Sequence, residues 1–176
     1  GETGNHREYG NIFDIMSNGG NFPADQINAN FKSVLGWLPP QNIFTATNSG
    51  VYRVYAHDEN SRAIDRHYAV RIPVAISVGG QLEDYWIELR QLLSSRYPST
   101  ASGAIVMWGN DAGTQKASRL LDMTPTTADF SDSPLALGQT FRDLDRGIEI
   151  TPLAKSGSGA DAYLDLQINQ IGRAHV

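Results

Sequence analysis

Cysteine is absent from this 176-residue chain, which removes disulfides, thiol nucleophiles and thiolate zinc sites together. Lysine is scarce, with only Lys32, Lys116 and Lys155, and no run of positive charge occurs. The 14 Lys plus Arg face 19 Asp plus Glu, a formal net charge of −5. That balance argues against a nucleic-acid partner, because affinity for a phosphate backbone rests on clustered basic side chains. No stretch approaches the roughly 18 apolar residues that cross a bilayer, so no membrane partner is expected. The opening Gly1-Glu2-Thr3-Gly4-Asn5-His6 lacks the basic and apolar regions of a secretory leader. It also lacks an initiating Met, from which an interior piece of a longer polypeptide is expected. What remains suffices for a folded core: 40% of residues are hydrophobic, with 17 Gly and 8 Pro as punctuation. The length fits one ordinary domain, or one domain plus part of another, without need of staples.

Composition changes near Pro39-Pro40. Before that pair, Ile27, Phe31, Val34, Leu35 and Leu38 recur at spacings of three and four, predicting a helix from about Pro23 to Leu38 with one apolar stripe. Pro23 suits a first helical turn, Asp25 favours the helix dipole, and Gly36 with Pro39-Pro40 ends the pattern. After the pair, short apolar runs alternate with turn residues. Strands are predicted at residues 51–55, 67–74, 85–90, 103–108, 119–123, 147–151 and 160–168, with a turn at Gly79-Gly80. Residues 91–96 fit a short helix or a loop, and Ser156-Gly157-Ser158-Gly159 a flexible hairpin connection. Several short strands at irregular spacing point to a mainly β protein with a β-sandwich over residues 41–170.

One stretch has residue choices that suggest function: Glu8-Tyr9-Gly10-Asn11-Ile12-Phe13-Asp14-Ile15-Met16-Ser17. On composition alone it reads as a buried turn with Met16 as a flexible filler. Its pattern, Glu-Tyr-Gly-Asn-x-x-Asp-Ile-Met-Ser, resembles the Met-turn of gametolysin-like secreted zinc metallopeptidases, where it runs approximately Glu-Tyr-Gly-Asp-x-x-Asp-Val-Met-Gly. Asn11 replaces the usual Asp and Ser17 the usual Gly. In that family, as in metzincins broadly, an upstream H-E-x-x-H-x-x-G-x-x-H helix supplies three zinc ligands and a Glu general base. The resemblance implies that Met16 is the apolar floor beneath the metal. It also implies that Asp14, Tyr9 and Gly10 shape the turn, Asp14 by hydrogen bonding. Leu35-Gly36-Trp37-Leu38 is also specifically similar to this family, and Tyr85 to Arg90 and the pattern from Leu137 to Ile150 are similar more thinly.

The resemblance implies two segments: residues 1–40 as the C-terminal remnant of an α+β catalytic domain (the Met-turn plus one helix) and 41–170 as an accessory β-sandwich; residues 171–176 stand apart on separate grounds. The last six residues, Ile171-Gly172-Arg173-Ala174-His175-Val176, are what a common sequencing adapter encodes when read in frame. The native sequence is therefore expected to stop or diverge after about Gln170. No His-Glu-x-x-His occurs, and His6, His57, His67 and His175 include no pair at i, i+4. The resemblance thus implies a secreted, extracellular zinc metalloendopeptidase as parent, acting on protein or peptide substrates. This chain itself would carry neither catalytic residue nor zinc ligand. The competing expectation is a non-catalytic β-sandwich module that binds glycan or an extracellular protein.

Other constellations have plainer readings. His57-Asp58 and Asp65-Arg66-His67 sit among loop residues, and no G-x-S-x-G elbow accompanies them, so both are expected to be surface turns. Asp143-Leu144-Asp145-Arg146-Gly147 begins like a calcium loop but lacks its later ligands. A turn into the next strand is expected there, with a structural calcium among Asp129, Asp132, Asp143 and Asp145 as the alternative. Trp37, Trp86 and Trp108 are expected in the core rather than on a glycan platform.

Overall fold

The computed structural model describes residues 7–17, 26–59, 62–76, 82–112 and 115–171. Among these residues, ten strands and one short α-helix follow one another as α1 (Ala29–Val34), β1 (Ile43–Thr45), β2 (Gly50–Tyr55), β3 (Ala69–Ile76), β4 (Leu82–Glu88), β5 (Gly103–Ala112), β6 (Gln115–Leu120), β7 (Leu135–Ala136), β8 (Phe141–Asp143), β9 (Ile148–Ser156) and β10 (Tyr163–Gln170). They build two sheets. The larger has the order β1-β3-β4-β5-β6, with β7 paired to β5; the smaller has the order β2-β10-β9-β8. All pairings are antiparallel except β1 with β3. The mainly β, two-sheet expectation therefore holds. Among the described residues no helix is long and apolar enough to cross a membrane.

Alternation on the strands determines where the main core lies. On β10, Leu164, Leu166 and Ile168 turn inward and are fully buried, while Asp165 and Gln167 face out. Ile148 and Ile150 of β9 point the same way and meet Val70, Ile72, Ile87 and Val106 of the larger sheet. Burying each such aliphatic side chain contributes roughly 1.5–3 kcal/mol. Pro73 interrupts β3 where the partner strand shifts register, between Pro73 and Ala75. It is tolerated there because β1 has already ended, its last pair being Thr45 with Arg71, so no ladder bond requires the missing N–H.

A second apolar cluster includes Tyr68, Ala69, Trp86, Ile105 and Met107, together with Phe13, Ala29 and Leu38 from the N-terminal segment. Strand neighbours alternate between the two clusters: Trp86 and Met107 belong to this one, Tyr85, Ile87 and Val106 to the main core. Residues 11–17 and 26–38 therefore cover the face of the larger sheet opposite the smaller one.

The helix is shorter than the periodicity suggested. Asn28 caps it, its side chain accepting from the Phe31 N–H at 3.0 Å, so the helix begins at Ala29; Pro23 and Asp25 lie outside the described residues. It ends in a Schellman turn: Gly36, at φ +73°, follows the cap, Trp37 N–H donates to Lys32 O and Gly36 N–H to Ser33 O. Fewer than two turns cannot hold Ile27 through Leu38 on one face. Ile27 and Leu38 are buried, whereas Val34 and Leu35 are exposed and Lys32 is buried in their stead. The stripe expectation is corrected accordingly.

Strand positions agree with the sequence reading within a few residues, except that 119–123 shifts to β6, and β1, β7 and β8 were not foreseen. Residues 92–95 form a 3-10 turn. The Ser156–Gly159 tract connects β9 to β10, with Gly157 at φ +74°. Asp143 to Gly147 is the expected turn, closed by Arg146 N–H on Asp143 Oδ1 and by Gly147 at φ +66°. The Gly79-Gly80 turn and residues 172–176 lie outside the described residues.

Candidate functional site

Residues 7–17 form a tight, internally bonded turn. Tyr9 adopts a left-handed conformation, φ 55°, rare for a residue with a side chain, and the Gly10 N–H closes back on Arg7 O at 3.1 Å. A Cβ on Gly10 would sit 3.0 Å from that carbonyl oxygen, which favours glycine there. Asn11 Oδ1 accepts from Phe13 N–H at 3.0 Å, a local Asx turn. Two of the positions that depart from the Met-turn pattern bond to each other across the turn, Asn11 N–H donating to Ser17 Oγ at 3.1 Å. Phe13 is buried and meets Tyr97 edge-to-face, centroids 5.3 Å apart, anchoring the turn to the sheet.

Asp14 locks this arrangement. Its buried carboxylate accepts from Met16 N–H at 2.8 Å through Oδ1, and from Asn28 N–H at 2.9 Å and the Asn28 side-chain amide through Oδ2. One side chain thus fixes both the turn and the start of α1. Met16, held by its own backbone, turns its side chain outward and is 63% exposed; Tyr9 and Ile15 beside it are also exposed. Four of the expected site residues, Tyr9, Gly10, Asp14 and Met16, belong to one ordered unit, with Asp14 inside and Met16 outside.

A buried polar network continues from this unit, and the sequence reading missed it. Asn28, tied to Asp14, precedes α1. The Ala29 N–H, one of the donors a helix start leaves unpaired, is taken by Glu88 Oε2 at 2.7 Å. Glu88 Oε1 accepts from Arg90 Nε at 2.8 Å, both side chains fully buried, and Arg90 Nη1 reaches Gln26 O at 3.1 Å. Glu88 Oε2 also lies 3.1 Å from His57 Nε2. On the other side of that ring, His57 Nδ1 is 3.0 Å from Lys32 Nζ, which also donates to His57 O at 3.2 Å and to the Gln26 carboxamide oxygen. Asp58 completes the cluster by accepting from Gln91 N–H at 2.8 Å and Leu93 N–H at 3.3 Å.

The environment shifts these groups strongly. Burial pushes the Lys32 amine down to about 8, with Arg90 and Arg62 adding to the effect. Burial likewise lowers His57, with Glu88 opposing and Lys32 and Arg90 reinforcing. Burial alone would raise the Glu88 carboxyl; the Arg90 charge, the facing His57 ring and the Ala29 N–H outweigh it and hold it well below the usual carboxylate range. His57-Asp58 is thus no surface turn. Both residues are fully buried, because the bend after β2 tucks them beneath α1 and beside the end of β4. The carboxylate facing His57 is Glu88, distant in sequence, rather than its neighbour. The signal available was Glu88-Leu89-Arg90, opposite charges two apart in an apolar strand, hence on one face.

The remaining candidates are dispersed. Asp129 caps Ser131, Asp132 accepts from Thr124 and Thr127, and Asp143 accepts from Tyr85 and Arg146. Asp143's partners include a full positive charge, and among the described residues no three His, Asp or Glu side chains gather as a metal site would require. Among the described residues, Asp129, Asp132 and Asp143 are thus each committed to their own neighbours and do not gather around one point. His6 and His175 lie outside the described residues, and His67 packs against Phe44. Asp65-Arg66-His67 forms no catalytic pair: Arg66 bonds to Asp161 at 2.7 Å instead. Trp86 is in the core and Trp108 half-buried between Arg119 and Arg146, whereas Trp37 is exposed at the helix end, contrary to expectation. No known protein family, curated protein or solved structure matches this chain.

Proposed function

We propose that this chain is the C-terminal part of a secreted, extracellular zinc metalloendopeptidase of the gametolysin-like kind, which hydrolyses peptide bonds of extracellular proteins. In this reading residues 1–40 are the end of the catalytic domain and 41–170 an accessory β-sandwich. Met16 is the floor beneath the metal, and Asp14 the residue that holds that floor in position. The supporting observation is the Asp14 lock: a buried carboxylate spends both oxygens on fixing a sequence-matched turn, and the residue it displays is an exposed methionine. A Met serving only as core filler would be inside. Zinc and the general-base Glu belong to the H-E-x-x-H helix of the parent, and this chain's part is to shape and support the site.

The test is the coding sequence ahead of Gly1. An H-E-x-x-H-x-x-G-x-x-H within a few tens of codons, and chelator-sensitive peptide cleavage by the protein that includes it, are the expected results. An intact gene without that motif overturns the proposal. The 176-residue chain alone is expected to show no chelator-sensitive proteolysis, measured on a fluorogenic peptide mixture; cleavage by pure material contradicts it.

A further inference from the structure

The Lys32 ammonium has three hydrogens, and three acceptors surround it: Gln26 Oε1, His57 Nδ1 and His57 O. The bond to Nδ1 requires that nitrogen to be unprotonated. The ring proton therefore resides on Nε2, facing Glu88 Oε2 at 3.1 Å. This fixes one tautomer of a neutral imidazole and excludes a second proton while Lys32 stays in place. Lys32 and Arg90 disfavour the cation, and the Glu88 carboxylate, which favours it, already accepts from Arg90 Nε and the Ala29 N–H. Lys32 comes from α1, and Glu88 and Arg90 from β4 and the residues just after it. Arg62, from the loop beyond, reaches His57 O with its guanidinium at 3.5 Å. Asp58, next in sequence, is occupied by the Gln91 and Leu93 N–H groups. Three cations thus face two carboxylates, all but Arg62 almost wholly buried.

We propose that Lys32, His57 and Glu88 form an acid-released latch: protonation of His57 breaks its bond to Lys32 and frees the 26–38 segment from the larger sheet. Lys32 is the basic side chain by which α1 reaches inward, its Nζ buried among these acceptors. Once His57 carries a proton on Nδ1, two N–H donors confront each other across 3.0 Å with no acceptor between them. Lys32 must then leave, and α1 with it. Asp14 is bound to Asn28, so the 11–17 turn is coupled to the same event. Release uncovers Trp86 and Met107, which Phe13, Ala29 and Leu38 otherwise cover. The sign follows from linkage. The burial-lowered His57 binds fewer protons when docked than when released, so docking is strongest above about pH 6.5 and weakens as pH falls. This latch stands whether or not the parent is a protease.

The test is amide hydrogen exchange of the purified chain between pH 7.5 and 5.0, corrected for the intrinsic pH dependence of exchange. Protection across residues 29–38 is expected to fall by up to about thirtyfold between pH 7.5 and 5, nearly all of it below pH 6.5, where a single proton gives at most a tenfold step per pH unit. Protection in β9 and β10 stays constant. His57→Gln removes the step. Lys32→Met removes the cation opposite Nδ1, brings the docked ring closer to its free value and shrinks the step. Protection that does not change with pH in the unaltered chain overturns the latch, as does an unchanged step in either variant. Should a variant fail to fold, imidazole nitrogen shifts of the unaltered chain decide: a neutral His57 with its proton on Nε2 at pH 7.5 supports the latch, and a charged ring or the other tautomer refutes it.

Discussion

Replacing Glu88 by Gln probes a buried carboxylate that faces three partners at once. Its carboxylate meets Arg90 Nε at 2.8 Å, the Ala29 N–H at 2.7 Å and His57 Nε2 at 3.1 Å, and it is fully buried. The amide keeps the shape but removes the charge, leaving the buried Arg90 guanidinium and the Lys32 ammonium under-compensated. Breaking a buried pair from one side costs about 3–5 kcal/mol, against a total domain stability of about 5–15 kcal/mol. A second substitution, Arg90→Met, removes the stranded charge and fills its space with an apolar chain. The double variant is therefore expected to regain at least about 1 kcal/mol of what Glu88→Gln loses. Urea denaturation of the four proteins at pH 7 measures the cycle. The contribution of Glu88, whose carboxyl is held low, is present above its ordinary pKa of about 4.3 and disappears as pH falls below that. A loss under about 1 kcal/mol for Glu88→Gln, or strict additivity with Arg90→Met, would refute the reasoning.

Asp14→Ala strands the Met16 and Asn28 N–H groups and is expected to destabilise by about 2–4 kcal/mol, with the largest rise in amide exchange at Met16. A loss confined to residues outside 11–30 would contradict the lock. Gly157→Ala is expected to cost more than about 1 kcal/mol in thermal or urea unfolding, because φ is +74° and the new Cβ would lie 2.1 Å from Asp161 O. By contrast Arg53→Ala, which removes a half-exposed pair with Asp165 at 2.8 Å, is expected to change stability by less than about 1 kcal/mol, and less still at high salt.

Much of the β architecture was legible because a strand in a two-sheet fold writes its burial into alternate residues. Leu164, Leu166 and Ile168 set the inner face of β10 without help from any distant residue. The nearly continuous apolar run of β5 is buried on both faces, as such runs are, since the N-terminal segment covers the side the smaller sheet does not. Short pieces such as β1, β7 and β8 carry too few residues to show a period; they exist because a neighbouring strand offers an edge. The turn at 8–17 was legible as a pattern of residue types, and its lock could be anticipated only as a hydrogen-bonding role for Asp14.

The helix marks where local pattern gave way. Apolar spacing alone extended it across sixteen residues, but Asn28 accepts from Phe31 N–H and binds Asp14, so the chain starts the helix later than propensity would. Lys32 then turned inward, against every expectation for a lysine, because His57 and Gln26 were waiting with acceptors and Glu88 with a nearby negative charge. None of these partners is near it in sequence except Gln26. By itself the amino-acid order determined the strand faces, the turn chemistry and the absence of a zinc-binding helix motif, all of them local properties of periodicity and residue type. Only the tertiary structure decided which charges would be buried together, because the electrostatic character of a lysine or histidine depends on what the fold brings within about 3 Å of it, and in what dielectric.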